Sequence, residues 1–365
     1  MTPDRVTHYQ RKFEQILGPV ARAYARIMRL RAGLYASGRL SSWRPPAPCI
    51  SVGNISWGGT GKTPVVAWLL DWAIGEGLRP VVLTRGYGGM PPHRPYDVQL
   101  LSPPREAGDE PLLLKRAFPQ ARIMVDPNRV RAGKQAAAEN GVDLFVLDDG
   151  YQHLRVTRDL NLCLLCPPDL DTQWNRVLPV GSWREDVSAL ARADAFLINT
   201  MFDDDGCLEM IARIQLVSLG KPIFFFQVTA RGVANTLTGE TLNSLAGQRF
   251  ILVTGIANPQ KVSQTCRNDL GEAPVRHLIY ADHHSFTQDD WNAIAAAADR
   301  NECTRIVCTP KDAVKLAPFA DHRLWATQLT TSFSSVGSQS FRAWLDACMT
   351  FLPRNFHASQ EKTDP

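Results

Sequence analysis

Two groups of residues in this chain have the types and spacing that phosphate chemistry requires. The first is Ser56-Trp57-Gly58-Gly59-Thr60-Gly61-Lys62-Thr63, which follows the apolar run from Ile50. Glycines at 58, 59 and 61 let a turn bring backbone N–H groups against an anion, and a helix opening near Lys62 adds its positive end. In such a cradle, lined by Ser56, Gly58, Gly59, Thr60 and Gly61, Lys62 reaches the β and γ phosphates, and the Thr63 hydroxyl takes Mg²⁺. Pro64 suits the first helical turn, where its missing N–H is not needed. Ser56 holds the place of the first glycine of GxxxxGK[ST], so the turn must enter without a positive φ there. The second group is Asp148 and Asp149, which end the apolar run Leu144 to Leu147. A carboxylate at the C-terminal end of a parallel strand is placed to hold Mg²⁺, directly or through water. The other holds a further water or accepts a proton, and spacing alone does not assign the two roles. Arg184 and Glu185 stand in the Pro/Gly-rich stretch LPVGSWRED, a loop of the kind that carries function.

The elements that position these groups alternate between strand and helix. RPVVLTRGYGG reads as a second strand with a glycine-rich turn, Pro91 to Pro104 as an irregular connection, and GDEP as the start of a helix that Asp109 is placed to cap. ARIMVDPNR, residues 159 to 166 and ADAFLINT read as further strands, with a break near Asp203 to Gly206 before PIFFFQV. From about Gln248 the alternation restarts without a second cradle: FILVTGIANP, a helix over Pro259 to Leu270, HLIYADHHSFT ending in Asp282, His283 and His284, a helix over 287 to 300, RIVCTPKDAVKL as strand and turn, and RLWATQL. The pattern predicts an α/β protein: a P-loop NTPase-like parallel-sheet domain over 41–220 and a second, smaller α/β domain over 221–352, preceded by a helical segment over 1–40 and followed by a disordered tail over 353–365.

The N-terminal segment stands apart in charge. Residues 1 to 44 hold nine Lys/Arg against Asp4 and Glu14, a local +7, while the other 31 basic and 34 acidic residues give −3. Residues 3 to 17 read as a short helix, interrupted by Gly18-Pro19 before a second helix to about Ser37. On that second helix Val20, Tyr24, Ile27, Met28, Leu34 and Tyr35 share one face and Arg22, Arg26 and Arg29 the opposite one, with Arg31 out of pattern. Such a helix either lies in a membrane interface with its arginines on anionic headgroups or packs its apolar face on the core. No apolar run is long enough to span a bilayer. The eight cysteines are scattered and no secretory signal precedes them, which points to a reducing cytoplasmic compartment. Cys163 and Cys166 lie three apart on an apolar strand, facing opposite ways, so they pack in the core instead of sharing a metal.

Taken in order, VGNISWGGTGKTP, TRGYGG, GDEPLLL, DDGYQH, the loop around VLPVGSWRE, DHHSF and TPKDAVKL resemble the tetraacyldisaccharide 4′-kinases of lipid A biosynthesis over most of the chain. The resemblance implies transfer of the ATP γ-phosphoryl group to the 4′-hydroxyl of a tetraacylated disaccharide 1-phosphate, giving lipid IVA. It implies a monomer at the cytoplasmic face of the bacterial inner membrane, peripheral or monotopic, with two domains joined by a hinge and no nucleic-acid partner. Carried over by position, Lys62 and Thr63 fall on the phosphate and Mg²⁺ positions, Asp148 and Asp149 on the acidic pair, Asp109 on the general base, and His283, beside Asp282, on the group that orients it. Arg129, Arg184 and Glu185 fall near the phosphates, the metal or the substrate headgroup. The chain departs from the pattern at Ser182-Trp183, where a Pro-Leu is expected, at Pro310, where a Glu is expected, and at Trp57, bulky for its place.

Two other classes compete with this reading. A P-loop switch or motor would need a base-specificity element such as NKxD, which the sequence lacks. A kinase of a soluble metabolite would use the N-terminal helix only as core.

Overall fold

The computed structural model describes residues 13–139, 141–200, 205–335 and 339–352. Residues 3–12 of the helix expected over 3–17, the start of the break near Asp203 and the tail from 353 lie outside these residues. Among them the strands are β1 (Cys49–Asn54), β2 (Pro80–Thr84), β3 (Tyr96–Asp97), β4 (Arg122–Val125), β5 (Leu144–Asp148), β6 (Leu160–Leu165), β7 (Ala195–Asn199), β8 (Ile223–Asn235), β9 (Thr241–Leu242), β10 (Phe250–Thr254), β11 (Arg276–Ile279), β12 (Arg305–Cys308) and β13 (Leu324–Ser335). The chain forms two compact units. One comprises Met1–Arg85, Gln120–Gln227 and Phe333–Pro365, and the other Gly86–Pro119 and Val228–Ser332. The alternation of strands and helices places 86–119 within the P-loop domain. In the structure this stretch belongs with the second unit, because the helix Asp109–Ala117 packs on the helix Pro310–Leu316.

In the first unit the strands run β8-β7-β6-β1-β5-β2-β4, each pair parallel. Strands β1, β5, β6 and β7 are buried at every position, which is why they read as unbroken apolar runs instead of alternating ones. Val52 pairs with Asp148, so β1 and β5 end side by side, with the P-loop following one and the acidic pair ending the other. The helix Lys62–Gly75 covers the sheet through Val65, Val66, Leu69, Leu70 and Ala73. A helix over Phe341–Phe351, not among the expected elements, is capped by the Ser340 hydroxyl and buries Phe341, Leu345 and Met349 at intervals of four. Phe341 stacks on Phe333 at 4.4 Å, and Trp72 Nε1 donates to Asp346 at 2.8 Å.

The second unit carries its own parallel strands in the order β11-β10-β12-β13, with β9 antiparallel to the distal part of β8. Its core joins Ile251, Val253, Trp291, Ile294, Ile306 and Leu324. Beyond β12 the stretch expected as a turn is a helix, Pro310–Leu316, opened by Thr309 as N-cap and Pro310 at the first position. That placement accounts for Pro310, since proline is favoured where the helix needs no N–H.

Two sequence expectations change at the helices. Gly18-Pro19 does not interrupt: one helix runs over Glu14–Ala36 with Pro19 inside it. A proline in a helix interior forfeits one hydrogen bond to the carbonyl four residues back, here Gln15, and the long helix around it absorbs that loss. The single apolar face also resolves into two stripes. Tyr24 and Ala25 pack on the core around Ile55, Tyr151 and Trp183, and Ala21 is buried. Ile16, Val20, Ile27 and Leu30 are exposed, the last two at 63% and 65%. Arg31, out of pattern on the wheel, turns inward and donates to the Gln152 carbonyl at 3.2 Å.

Candidate active site

The cradle is built by backbone conformations that its residue types permit. Gly61 sits at the N-cap of the helix Lys62–Gly75 with φ 92°, and Gly58 has φ 127°. A Cβ at Gly61 would meet Asn199 Nδ2 at 2.9 Å and the Phe226 ring at 3.0 Å, so glycine is required there by both torsion and space. Ser56 enters the turn without a positive φ, as its side chain demands. Lys62 Nζ donates to Asn54 Oδ1 at 3.0 Å and lies 3.5 Å from Asp149 Oδ1. Arg184 reaches the same two acceptors, with Nη2 2.9 Å from Asn54 Oδ1 and Nη1 3.3 Å from Asp149, and it also donates to Gln152 Oε1 at 3.1 Å. Lysine and arginine thus converge on one amide oxygen and one carboxylate.

Asp148 and Asp149 diverge. Asp148 is buried and accepts from the Thr84 hydroxyl at 2.7 Å. Asp149 holds φ 48°, a left-handed conformation that aspartate tolerates better than most residues. Burial pushes its carboxyl up, but the charges of Lys62, Arg184 and Arg129 and the Arg184 hydrogen bonds outweigh this, and the group is held below the usual carboxylate range. Arg129 is buried at the start of the helix Arg129–Ala138, where the charges of Asp148 and Asp149 act on it. Glu185 is buried and takes Arg192 Nη2 at 2.7 Å. Of the membrane candidates, Arg22 and Arg26 are exposed and Arg29 pairs with Asp186.

The unexpected Ser182-Trp183 and Ser56 share one explanation. Asp169, 1% exposed, accepts from the Ser56 hydroxyl at 3.0 Å, Trp183 Nε1 at 3.2 Å, and the Cys166 backbone N–H at 3.0 Å. Trp183 is fully buried. Backbone bonds from Trp57 N to Ser182 O (2.8 Å) and from Arg184 N to Ile55 O (2.7 Å) tie the P-loop entry to the arginine loop. Trp57 itself is 70% exposed, so most of its bulk lies in solvent. Asp169 was not singled out from sequence; a lone aspartate after Pro167-Pro168 carries no spacing signal. Asn54, a polar residue ending a buried strand, carried one.

In the second unit Asp109 and His283 are brought together. Asp109 opens the helix Asp109–Ala117 as its first residue, behind Gly108 with φ 84°, and makes no capping bond. The expected cap is therefore absent: its carboxylate is taken by His283 Nδ1 at 3.2 Å and Lys315 Nζ at 3.6 Å. Burial raises the Asp109 carboxyl, but the His283 hydrogen bond and the charges of Lys315, His283 and Lys311 bring it below the usual range. The same hydrogen bond, helped by the charges of Asp282 and Asp109 and opposed by burial and Lys311, raises His283 above the usual imidazole range. His283 also holds a left-handed φ of 59°, fixed by its N–H to Gly255 O at 3.1 Å. The two groups form a carboxylate–imidazole pair on one oxygen, and the hydrogen bond favours the protonated imidazole. His284 is turned away to Asp290 at 3.1 Å.

A parallel sheet whose strand β1 runs into a glycine turn, a lysine and a threonine, beside a strand ending in two carboxylates, defines a P-loop phosphotransferase. The family model described as tetraacyldisaccharide-1-P 4′-kinase matches residues 13–350, and the chain belongs to that family. It is 43% identical over 351 residues to the tetraacyldisaccharide 4′-kinase of Nitratidesulfovibrio vulgaris, covering 96% of this chain and 98% of that one. It is 44% identical over 329 residues to that of Oleidesulfovibrio alaskensis, covering 90% of each. Among solved structures, LpxK from Aquifex aeolicus in complex with ATP superposes with a TM-score of 0.71 at 26% identity, covering 92% of this chain and 98% of that chain.

Proposed function

We propose that this member of the 4′-kinase family transfers the γ-phosphoryl group of ATP to the 4′-hydroxyl of a tetraacyldisaccharide 1-phosphate, giving lipid IVA, and does so with Mg²⁺ at the cytoplasmic face of the inner membrane. The observation that carries the reading is the convergence of Lys62 and Arg184 on Asn54 and Asp149 beside the glycine turn. Two cations sharing one amide oxygen and one carboxylate are held ready to exchange those partners for phosphate oxygens, the positioning and charge neutralisation that phosphoryl transfer asks of a protein.

The acidic pair ending β5 and the Thr63 hydroxyl are hard oxygen donors, which suit a cation that keeps waters and phosphate oxygens in its shell. Asp148, Asp149 and Thr63 would hold Mg²⁺, which supplies charge neutralisation on the transferring phosphate. Asp109 takes the proton of the acceptor hydroxyl as its oxygen bonds to phosphorus and the bond to the β-phosphate oxygen breaks, releasing ADP. His283, charged through its bond to Asp109, keeps that carboxylate ionised and oriented. Arg129 and Arg184 are both assigned to the phosphates or the substrate headgroup.

The N-terminal helix gives the lipid side of the reading. No helix among the described residues is long and apolar enough to cross a membrane. The exposed Ile16, Val20, Ile27 and Leu30 beside exposed Arg22 and Arg26 suit a helix lying in an interface, with acyl chains under the apolar stripe and anionic headgroups on the arginines. The test is incubation with ATP, Mg²⁺ and the tetraacyldisaccharide 1-phosphate in mixed micelles. A lipid product heavier by one phosphate is expected; ATP hydrolysis without that product would overturn the assignment.

A further inference from the structure

The helix Pro310–Leu316 presents Lys311 and Lys315 one turn apart, and the helix Asp109–Ala117 presents Glu110 and Asp109 to them. Lys311 pairs with Glu110 as a half-exposed ion pair. Lys315 is different. Its side chain is 7% exposed, and its ammonium lies 3.2 Å from Asp312 Oδ1, 3.6 Å from Asp109 Oδ2 and 5.5 Å from the centre of the Phe286 ring. Removing an ammonium from water costs several kcal/mol unless a counter-charge with good geometry meets it. Asp312 supplies that charge as an ion pair, its Oδ1 facing the ammonium without accepting a hydrogen bond. It is fully buried, and its other oxygen is fixed by the Gly255 N–H at 3.1 Å and the Thr309 hydroxyl at 2.7 Å.

One carboxylate neutralises one ammonium, so Asp109 is a second carboxylate on a cation already paired. The groups facing Asp109 are His283 Nδ1, Lys315 Nζ and the charge of Lys311, with Asp282 behind His283 and Glu110 held by Lys311. The two direct contacts, from His283 and Lys315, fall on the same oxygen, Oδ2. Among the described residues no hydrogen bond reaches Oδ1. We propose that Lys315, anchored by Asp312, is a positioning residue for Asp109: together with His283 it pins Oδ2, keeps the carboxylate ionised and leaves Oδ1 as the oxygen that receives a proton. The inference rests on Asp109 being the proton acceptor, and its test separates the two.

Lys315→Met alone strands the buried Asp312 charge and risks unfolding, whereas Asp312→Asn with Lys315→Met removes both charges while the asparagine still accepts from Gly255 and Thr309. The full chain is labelled with ¹³Cγ-aspartate, and the Asp109 resonance is assigned by its loss in Asp109→Asn. In the double variant the Asp109 titration is expected to move to higher pH, kcat on the micellar lipid to fall about tenfold at the acid end of the profile, and KM for ATP to stay unchanged. Asp312→Asn alone, which frees Lys315 to engage Asp109 fully, moves the titration the opposite way. A role confined to stability gives neither movement, and an unmoved Asp109 titration in the folded double variant overturns the proposal. A moved titration with an unmoved rate profile upholds Lys315 as the residue that sets Asp109 and overturns Asp109 as proton acceptor.

Discussion

Lys62 has few ways to be replaced, because its ammonium meets Asn54 and Asp149 and no second lysine stands in the cradle. Lys62→Ala is expected to lower kcat about 10²-fold or more without unfolding the protein, since it removes charge stabilisation that is strongest in the transition state. Full turnover by the folded variant would remove Lys62 from the reaction. The Asp109–His283 pair carries a pH signature whose sign is fixed by its two shifts. Asp109 lies below the usual carboxylate range and is ionised at all higher pH, while His283 lies above the usual imidazole range and holds its proton until pH rises through that value. The charged pair therefore exists between the two. The stability it lends is lost on the acid side as pH falls through the lowered carboxyl, and on the alkaline side as pH rises through the raised imidazole. His283→Ala removes the hydrogen bond that holds Asp109 down, so the acid limb of the kcat profile should move to higher pH and the alkaline limb attributable to the imidazole should disappear. Asp109→Asn should cost about 10² to 10⁴-fold in kcat with little change in ATP binding, as read from initial rates and nucleotide titration. A change confined to KM for ATP would reverse these roles.

At the scale of elements, the parts of the site that were readable in sequence are those whose chemistry is local. The glycine turn, Lys62 and Thr63 lie within eight residues, and the acidic pair ends an apolar strand, so torsion and strand direction suffice to place them. What could not be read is joined across the chain. Ser56 and Asp169 are 113 residues apart, and no periodicity announces that the hydroxyl in the glycine's place has a buried carboxylate waiting for it. The Asp109 cap failed for a similar reason: local propensity favours aspartate at an N-cap, but a histidine 174 residues on and a lysine on the helix Pro310–Leu316 take the carboxylate. The Asp169 hub makes a specific prediction. Asp169→Ala leaves the Ser56 hydroxyl, the Trp183 indole N–H and the Cys166 N–H without their acceptor in a buried site, and a buried polar group left unpaired costs about 1–3 kcal/mol. The variant should lose about 3 kcal/mol of stability in urea. Because Ser56 opens the cradle and Trp183 precedes Arg184, KM for ATP should rise even where the protein is fully folded. Unchanged KM in the folded variant would reduce the hub to a packing device.

Across the whole molecule, positive charge is concentrated on the N-terminal segment, which carries +7 while the rest carries −3, and its helix also exposes Ile16, Val20, Ile27 and Leu30. The helical wheel showed that the segment is amphipathic but not which stripe faces the protein, since Tyr24 and Ile27 lie on the same apolar half and only tertiary packing separates them. The structure turns Tyr24 inward and leaves Ile27 and Leu30 in solvent, so the two forces that would hold such a helix at a membrane can be removed separately. Ile27→Ser with Leu30→Ser removes apolar contact. Fully burying such a side chain is worth about 1.5–3 kcal/mol, and with roughly two-thirds of each still to bury, the pair should weaken vesicle binding by about 2 kcal/mol or more, near 30-fold, at low and high salt alike. Arg22→Gln with Arg26→Gln removes headgroup attraction at about 1 kcal/mol per charge, a loss of similar size on anionic vesicles at low salt that vanishes at high salt or on neutral lipid. Arg29 is left intact because it holds Asp186, and its loss would mix folding with binding. Both double variants alter exposed residues and should unfold within about 0.5 kcal/mol of the parent. Activity on the micellar lipid should fall with vesicle binding, while nucleotide affinity at Lys62 stays constant. Binding equal to the parent's in both variants, on anionic and neutral vesicles, would mean that this stripe does not meet lipid and that another surface brings the acceptor to the cradle.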